Sequence, residues 1–216
     1  MITVSQSSKA LKLHTFGDSH ASTSASHWGK LNVPNLQIVD GAIGGKLAYS
    51  FGTKCFEVLN IKDKGVKEGD WVVFCFGETD CRCHVSRQIS ETRDYKNVID
   101  EIVEKYVDAI YKNIAQFPSG TIKTFVYNVV PARYIATDQW HPFPYLGTDE
   151  QRKMYYKYFN QKLQEKSIEY GYKYIDVYDK YTDSDGFLAK EYSDGNCHII
   201  DPCFVEEWFI NYFKQK

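Results

Sequence analysis

The chain has 216 residues and a formal net charge of −2, from 26 lysines and arginines against 28 aspartates and glutamates. This balance argues against a nucleic-acid sleeve or a polybasic membrane anchor, since both need clustered positive charge. Hydrophobic residues make up 43% of the chain and charged residues 25%, which predicts one globular domain over residues 1–216. The aromatic share of 16% is high, and either core packing or a sugar-binding cleft explains it.

Short apolar segments alternate with longer amphipathic ones along the chain. Five segments predict β-strands: residues 12–16, 36–40, 71–77, 122–130 and 172–178. Four predict helices: one after Gly45 with Leu47, Tyr49, Phe56 and Val58 inward, one over 94–117, one from Thr148 to about Tyr170, and one from Phe204 to Phe213. The alternation predicts an α/β protein, a three-layer α/β/α fold with a flavodoxin-like five-stranded parallel sheet.

Glycines and polar side chains follow several predicted strands at the point where each strand ends. Gly17-Asp18-Ser19-His20 follows the first strand, residues 40–45 (DGAIGG) follow the second, and Gly77-Glu78-Thr79-Asp80 follows the third. Because the carboxyl ends of parallel strands meet at one edge, we expect the functional groups there.

Ser19 is a candidate nucleophile, because a serine in a tight turn after a strand exposes its hydroxyl. It needs a base, normally a histidine that a carboxylate orients. Of the six histidines, His198 lies just before the last predicted helix and has Asp194 four residues earlier, so it is the preferred base. His141, in the long aromatic loop 133–148, is the alternative.

The segment LHTFGDSHAS (residues 13–22) resembles the first block of the SGNH hydrolases, also called GDSL-type esterases. The order of motifs is similar over essentially the whole chain: a glycine motif after strand two, a Gly-x-x-Asp after strand three and a histidine near the C-terminus. The resemblance implies a three-layer α/β/α fold and hydrolysis or transfer of an acyl group through a serine ester.

The resemblance also implies a role for each matching residue. Ser19 is then the nucleophile and one backbone arm of the oxyanion hole, and His198 is the base. The second arm maps to Gly44 or Gly45, with Gly44 preferred. The family's third block is Gly-x-Asn-Asp, but this chain has Thr79 in the place of the Asn.

The carboxylate of the triad is less well defined by the sequence. The family pattern is Asp-x-x-His, whereas position 195 is Gly in this chain and Asp194 stands four residues before His198. One extra loop residue still allows Asp194 to reach the imidazole. Asp201, or a dyad with no carboxylate, remains an alternative.

The segment GETDCRCHV is also similar to a variant block, Gly-Glu-Ile-Asp-Cys-Arg-x-His, of SGNH-like proteins that accompany glycan-assembly enzymes. Arg82 then either binds an anionic substrate group or belongs to a buried ion-pair network. The candidate substrate-binding residues are Asp18, His20, Glu78, Asp80, Arg82, His84, Trp140 and His141.

The cysteines and the absence of a long apolar run predict a cytoplasmic protein with free thiols and no membrane contact. Cys81, Cys83 and His84, with Cys197 and Cys203 downstream, offer zinc ligands, but no Cys-x-x-Cys pair is present. We therefore expect no metal and no cofactor, and a small-molecule or glycan substrate.

These observations predict an SGNH-type serine hydrolase that removes an acetyl or other small acyl group from a carbohydrate. Two alternatives stay open. One is a glycan O-acyltransferase that uses the same site, and the other is a non-catalytic glycan-binding protein on a degenerate hydrolase fold.

Overall fold

A five-stranded parallel sheet forms the centre of the structure, a computed structural model that describes residues 10–135 and 143–215. The strands are β1 (Leu11–Gly17), β2 (Leu36–Ala42), β3 (Trp71–Cys75), β4 (Lys123–Tyr127) and β5 (Lys173–Ile175). Their order in the sheet is β2-β1-β3-β4-β5, and every pair is parallel. The five predicted strands are present, and β3, β4 and β5 are shorter than predicted.

Five α-helices accompany the sheet in the described ranges. They are α1 (Ala48–Lys54), α2 (Val85–Gln88), α3 (Tyr95–Ile114), α4 (Asp149–Glu169) and α5 (Cys203–Lys214), and a π-helical turn (Asp80–His84) directly precedes α2. The predicted capping box opens α4, where Thr148 and Gln151 each accept a backbone N–H from the other. The short α2 and the π-helical turn were not predicted. Within these same ranges, no helix has both the length and the apolar character that a membrane span needs.

Alternating residues of β3 separate the two halves of the core. Val72 and Phe74 belong to the apolar cluster that also contains the inner faces of α1, α3 and α4. Trp71, Val73 and Cys75 belong to the cluster on the other face, with α5. All five residues of the strand are buried. The predicted three-layer α/β/α fold is therefore confirmed.

One helix differs from its prediction. The helix α1 ends at Lys54, and Cys55 has a left-handed φ of +42°. Once the helix ends, helical spacing no longer governs which residues face inward. Phe56 is consequently 46% exposed, so the prediction that it packs inward was wrong, and Phe51 is the fully buried aromatic residue of this segment.

The strand order determines where a site can form. β1 lies between β2 and β3 in the sheet. The chain therefore adds β2 on one side of β1 and later adds β3, β4 and β5 on the other side. Ligands of open α/β sheets bind at such a switch point, outside the carboxyl ends of the strands. The residues that follow β1 are Asp18 and Ser19.

We predict that Gly17→Ala destabilises the fold. A Cβ at Gly17 would lie 2.0 Å from the carbonyl oxygen of Cys75 in β3, so the backbone of two paired strands would have to move apart. We expect a loss of about 1–3 kcal/mol in the free energy of unfolding, measured in urea. Gly44→Ala is the matched control, because a Cβ there meets nothing within 4 Å. Equal stability of the two variants would contradict the prediction.

Candidate active site

The chain turns sharply at the end of β1 and presents Ser19. Asp18 donates its backbone N–H to the Cys75 carbonyl oxygen at 3.2 Å, which ties the turn to β3. Its carboxylate caps the 3-10 turn Ser19–Ala21 by accepting the backbone N–H of His20 at 2.9 Å. Asp18 and His20 are buried, whereas Ser19 is partly exposed. The turn therefore leaves the serine as its accessible polar side chain.

The structure brings the three predicted catalytic residues together. Ser19 Oγ lies 2.9 Å from His198 Nε2, and His198 Nδ1 lies 2.8 Å from Asp194 Oδ2. A carboxylate can only accept at this pair, so Nδ1 carries the proton and Nε2 is free to accept from the serine hydroxyl. In this line of hydroxyl, imidazole and carboxylate, the imidazole can take the proton of the serine hydroxyl.

A tight turn accommodates the extra residue between Asp194 and His198. Gly195 adopts a left-handed φ of +82°, and the backbone N–H groups of Asn196 and His198 donate to Asp194 Oδ1 at 2.7 and 3.2 Å. Partial burial alone would raise the pKa of Asp194, but the hydrogen bonds from His198 and Asn196 lower it, so the carboxylate stays ionised at neutral pH. The alternative Asp201 instead accepts the backbone N–H of Cys203 at the start of α5.

The fold is shared with solved hydrolase structures. A GDSL-like lipase from Bacteroides thetaiotaomicron matches with a TM-score of 0.61 and 14% identity, over 96% of this chain and 89% of that chain. The acetyl xylan esterase AlAXEase matches with a TM-score of 0.59 and 15% identity, over 93% and 99%. A catalytic mutant of Axe2, an acetylxylan esterase from Geobacillus stearothermophilus, matches with a TM-score of 0.59 and 13% identity, over 94% of both chains.

The chain has the fold of these solved lipase and esterase structures. No protein-family model matches its sequence, and a sequence comparison with curated proteins finds no match. The likeness therefore lies in the three-dimensional structure, at identities of 13–15% for these three neighbours.

Two of the predicted oxyanion donors are backbone N–H groups that lack a hydrogen-bond acceptor in the described ranges. Among residues 10–135 and 143–215, no acceptor is found for the N–H of Ser19 or of Gly44. Gly45 has a left-handed φ of +64°, and a Cβ on it would lie 3.5 Å from the ring of Phe143. Thr79, which replaces the Asn of the SGNH pattern, has its hydroxyl 3.4 Å from Arg82 Nη2 and 3.5 Å from Glu78 Oε2.

A buried ion pair occupies the end of β3. Arg82 Nη2 lies 3.0 Å from Glu78 Oε2, and the hydroxyl of Tyr156 donates to Glu78 Oε1 at 2.8 Å. The guanidinium also lies 5.0 Å from the centre of the Tyr145 ring. The network role, one of the two predicted for Arg82, is thus present. Sequence reasoning missed Tyr156, because its position in α4 reads as an ordinary core position.

Asp80 has a structural position rather than the predicted contact with substrate. It is fully buried, and its two oxygens accept the backbone N–H groups of Ala48 and Tyr49 at 2.7 and 3.0 Å, at the start of α1. Burial raises the pKa of Asp80 to about 7, although these hydrogen bonds lower it. The ring of His84 packs against the ring of Tyr49, with their centroids 4.4 Å apart. We therefore correct the role of Asp80 to a helix cap.

His20 is buried beneath the triad, so the prediction that it binds substrate was also wrong. Its Nδ1 lies 2.9 Å from Asp18 Oδ1 and its Nε2 lies 3.1 Å from the carbonyl oxygen of Cys197. Ligand atoms of His20, Cys197 and His198 lie within 4.8 Å of one another. A metal ion there would have to displace one of the two hydrogen bonds of His20, which does not favour a metal site. Asp18, the partner of His20, is 1% exposed and faces away from solvent as well.

Two cysteines after β3 that could have offered zinc ligands are engaged elsewhere. Cys81 is fully buried in the apolar cluster, and Cys83 Sγ donates to the carbonyl oxygen of Thr79 at 3.2 Å. Two predicted substrate-binding residues, Trp140 and His141, lie outside the described residues.

A cleft of about 720 Å³ lies beside the turn that carries Asp194. Ser193, Gly195 and Asn196 of this turn form part of its wall. The ring of Tyr134 is 59% exposed there and contacts Phe187 edge to face at 5.3 Å. The cleft offers one exposed aromatic face within reach of the triad loop.

We predict that Glu78→Gln is strongly destabilising. The change leaves Arg82 as a buried cation without its counter-charge, and breaking a buried pair costs about 3–5 kcal/mol. Asp108→Asn is the matched control, because its pair with Lys112 lies on the surface of α3 and is expected to contribute less than about 1 kcal/mol. Denaturant unfolding of both variants measures the difference, and losses of equal size would refute the prediction.

Proposed function

We propose that the protein is an SGNH-type serine esterase that removes a small acyl group, such as acetyl, from a carbohydrate. The observation that carries the proposal is the line of contacts from Ser19 through His198 to Asp194. The acetylxylan esterases among the structural neighbours support the choice of acyl group and of substrate class.

In this mechanism Ser19 Oγ attacks the ester carbonyl carbon while its proton passes to His198 Nε2. The tetrahedral intermediate collapses when His198 returns that proton to the leaving sugar hydroxyl, and an acyl-serine remains. Water then attacks the acyl carbon with His198 as base again, and the carboxylic acid and free Ser19 are released. Asp194 holds the ring and stabilises the imidazolium that forms in each step.

The oxyanion of each intermediate is held by the backbone N–H groups of Ser19 and Gly44. Donors aimed at that oxygen are worth about 3–4 kcal/mol each in comparable enzymes. The hydroxyl of Thr79 lies within the Glu78–Arg82 network, so we assign the stabilisation to the two backbone groups.

The cleft beside the turn that carries Asp194 favours a neutral, polar ligand. Its wall contains three cations, Arg133, Lys153 and Lys190, and three acids, Glu150, Asp183 and Asp185, so their charges cancel. The exposed ring of Tyr134 provides a flat apolar face, and the polar groups around it provide hydrogen bonds. A sugar ring has the same combination of an apolar face and polar edges.

We expect a fluorophosphonate probe to add its mass at Ser19 of the folded protein and not to label Ser19→Ala. Ser24→Ala is the control, because Ser24 is exposed and contacts only Ser22, so labelling at Ser19 should persist. Intact-mass and peptide-level mass spectrometry measure the result. A folded wild-type protein that stays unlabelled would overturn the serine mechanism.

Asp194→Asn should lower kcat for an acetyl ester by roughly 10²–10⁴-fold, since the ring of His198 loses the partner that selects its tautomer. Release of acetate from an acetylated oligosaccharide measures this effect. Acyl transfer to an added acceptor sugar in preference to water would instead identify an acyltransferase. Sugar binding that Ser19→Ala retains, with no ester cleavage by the wild type, would identify a binding protein.

A further inference from the structure

His20 joins the two loops that carry the nucleophile and the base. It belongs to the same 3-10 turn as Ser19, and its Nε2 reaches the carbonyl oxygen of Cys197, the residue before His198. Its ring also lies against the ring of His198, with centroids 4.7 Å apart. The described structure therefore has a side-chain connection between these loops in addition to the contact between Ser19 and His198.

Both nitrogens of His20 face atoms that can only accept a hydrogen bond. Asp18 Oδ1 lies next to Nδ1 and the Cys197 carbonyl oxygen lies next to Nε2. A neutral imidazole has one donor and would leave one of these contacts without a proton, whereas an imidazolium satisfies both. Because His20 is 4% exposed, an unsatisfied contact would be costly.

We propose that His20 is a positioning residue, a buried imidazolium that sets the distance between Ser19 and His198 through its hydrogen bond to Cys197. The inference rests on the proposed esterase mechanism, in which that distance controls the proton transfer. A base loop displaced by even 1 Å costs roughly 10²-fold in rate in well-oriented sites.

The charges around His20 agree with a protonated ring. Burial alone would lower the pKa of His20, but the charge and hydrogen bond of Asp18 raise it well above its ordinary value. Glu78 borders the same small internal space of about 10 Å³, with its own charge paired to Arg82. Burial lowers the pKa of His27, the other nearby buried histidine, to about 3, so that ring is neutral.

The groups on the opposite side of His20 belong to the base loop. Cys197 contributes its carbonyl oxygen, and His198 contributes the ring that packs against His20. His198 in turn contacts Asp194, whose negative charge lies on the far side of that ring from Ser19. The two histidines thus each have their own carboxylate, and His20 keeps its proton through Asp18 while His198 exchanges its proton with substrate.

Two isosteric variants separate the two hydrogen bonds. The amide nitrogen of His20→Gln can take the place of Nε2 and donate to Cys197, whereas the shorter His20→Asn can replace only Nδ1. We expect kcat to fall about 10-fold for His20→Gln and about 100-fold for His20→Asn, with KM within about twofold of wild type. Equal losses in the two variants, or no loss, would overturn the positioning role. His27→Phe is the control for a general packing effect and should leave kcat within about twofold.

The pH dependence gives a readout that packing alone would not change. A histidine whose folded-state pKa is raised contributes stability that is complete below the unfolded value of 6.5 and is lost as the pH rises through the folded value. The stability advantage of wild type over His20→Gln should therefore shrink between neutral and alkaline pH. In wild type, kcat should fall over the same alkaline range, and this decline should be absent in the variant.

The charge state can be observed without any activity. Nitrogen NMR of labelled histidine should show two protonated nitrogens for His20 at pH 7.5, assigned by their loss in His20→Gln. A single protonated nitrogen would refute the imidazolium. Failure of the esterase proposal would appear separately, as a folded wild type that no fluorophosphonate labels, and it would leave the NMR result unaffected.

Discussion

The contact between Ser19 and His198 joins residues that are 179 positions apart, and the rest of the site is arranged around it. It depends first on the parallel sheet, which places the end of β1 next to the end of β3 and lets the chain return to the same edge before α5. It depends next on the local turn after β1, where Gly17 lies against the carbonyl of Cys75 with no space for a side chain. The contact between Ser19 and His198 therefore depends on strand pairing over most of the domain.

Three ionisable side chains from the segments after β1 and β3 are buried, and each contacts a polar partner. Asp18 pairs with His20, Glu78 pairs with Arg82, and Asp80 accepts two N–H groups at the start of α1. An unpaired charge at such depth would be strongly destabilising, so the loss of one partner of either ion pair would weaken the fold. These pairs also connect elements that are distant in sequence: β1 with the base loop, β3 with α4 through Tyr156, and the π-helical turn with α1. The same hydrogen bonds thus stabilise the fold and orient the triad.

Patterns along the chain predicted the strands and the long helices, whereas the resemblance to the SGNH hydrolases was needed to group Ser19, His198 and Asp194. Periodicity reports which face of an element is apolar, and the capping box of Thr148 is a local signal that a short stretch of sequence contains. The roles of His20 and Asp80 were not predictable in this way. A polar residue after a strand looks the same in sequence whether it faces substrate or a buried partner. The partners of His20 and Asp80 lie 177 and about 32 residues away along the chain. Phe56 shows a further limit, because the helical pattern continues in the sequence after the helix itself has ended.

The segment after β3 is packed into a network of side-chain contacts. With Thr79 in the place of Asn, its hydroxyl lies among the groups of the Glu78–Arg82 pair. Arg82 packs on the ring of Tyr145, and the hydroxyl of Tyr145 donates to the side chain of Asn196 at 3.3 Å. The backbone of Asn196 in turn donates to Asp194. The segment is therefore linked by continuous contacts to Asp194, so the residues after β3 support the loop that carries His198.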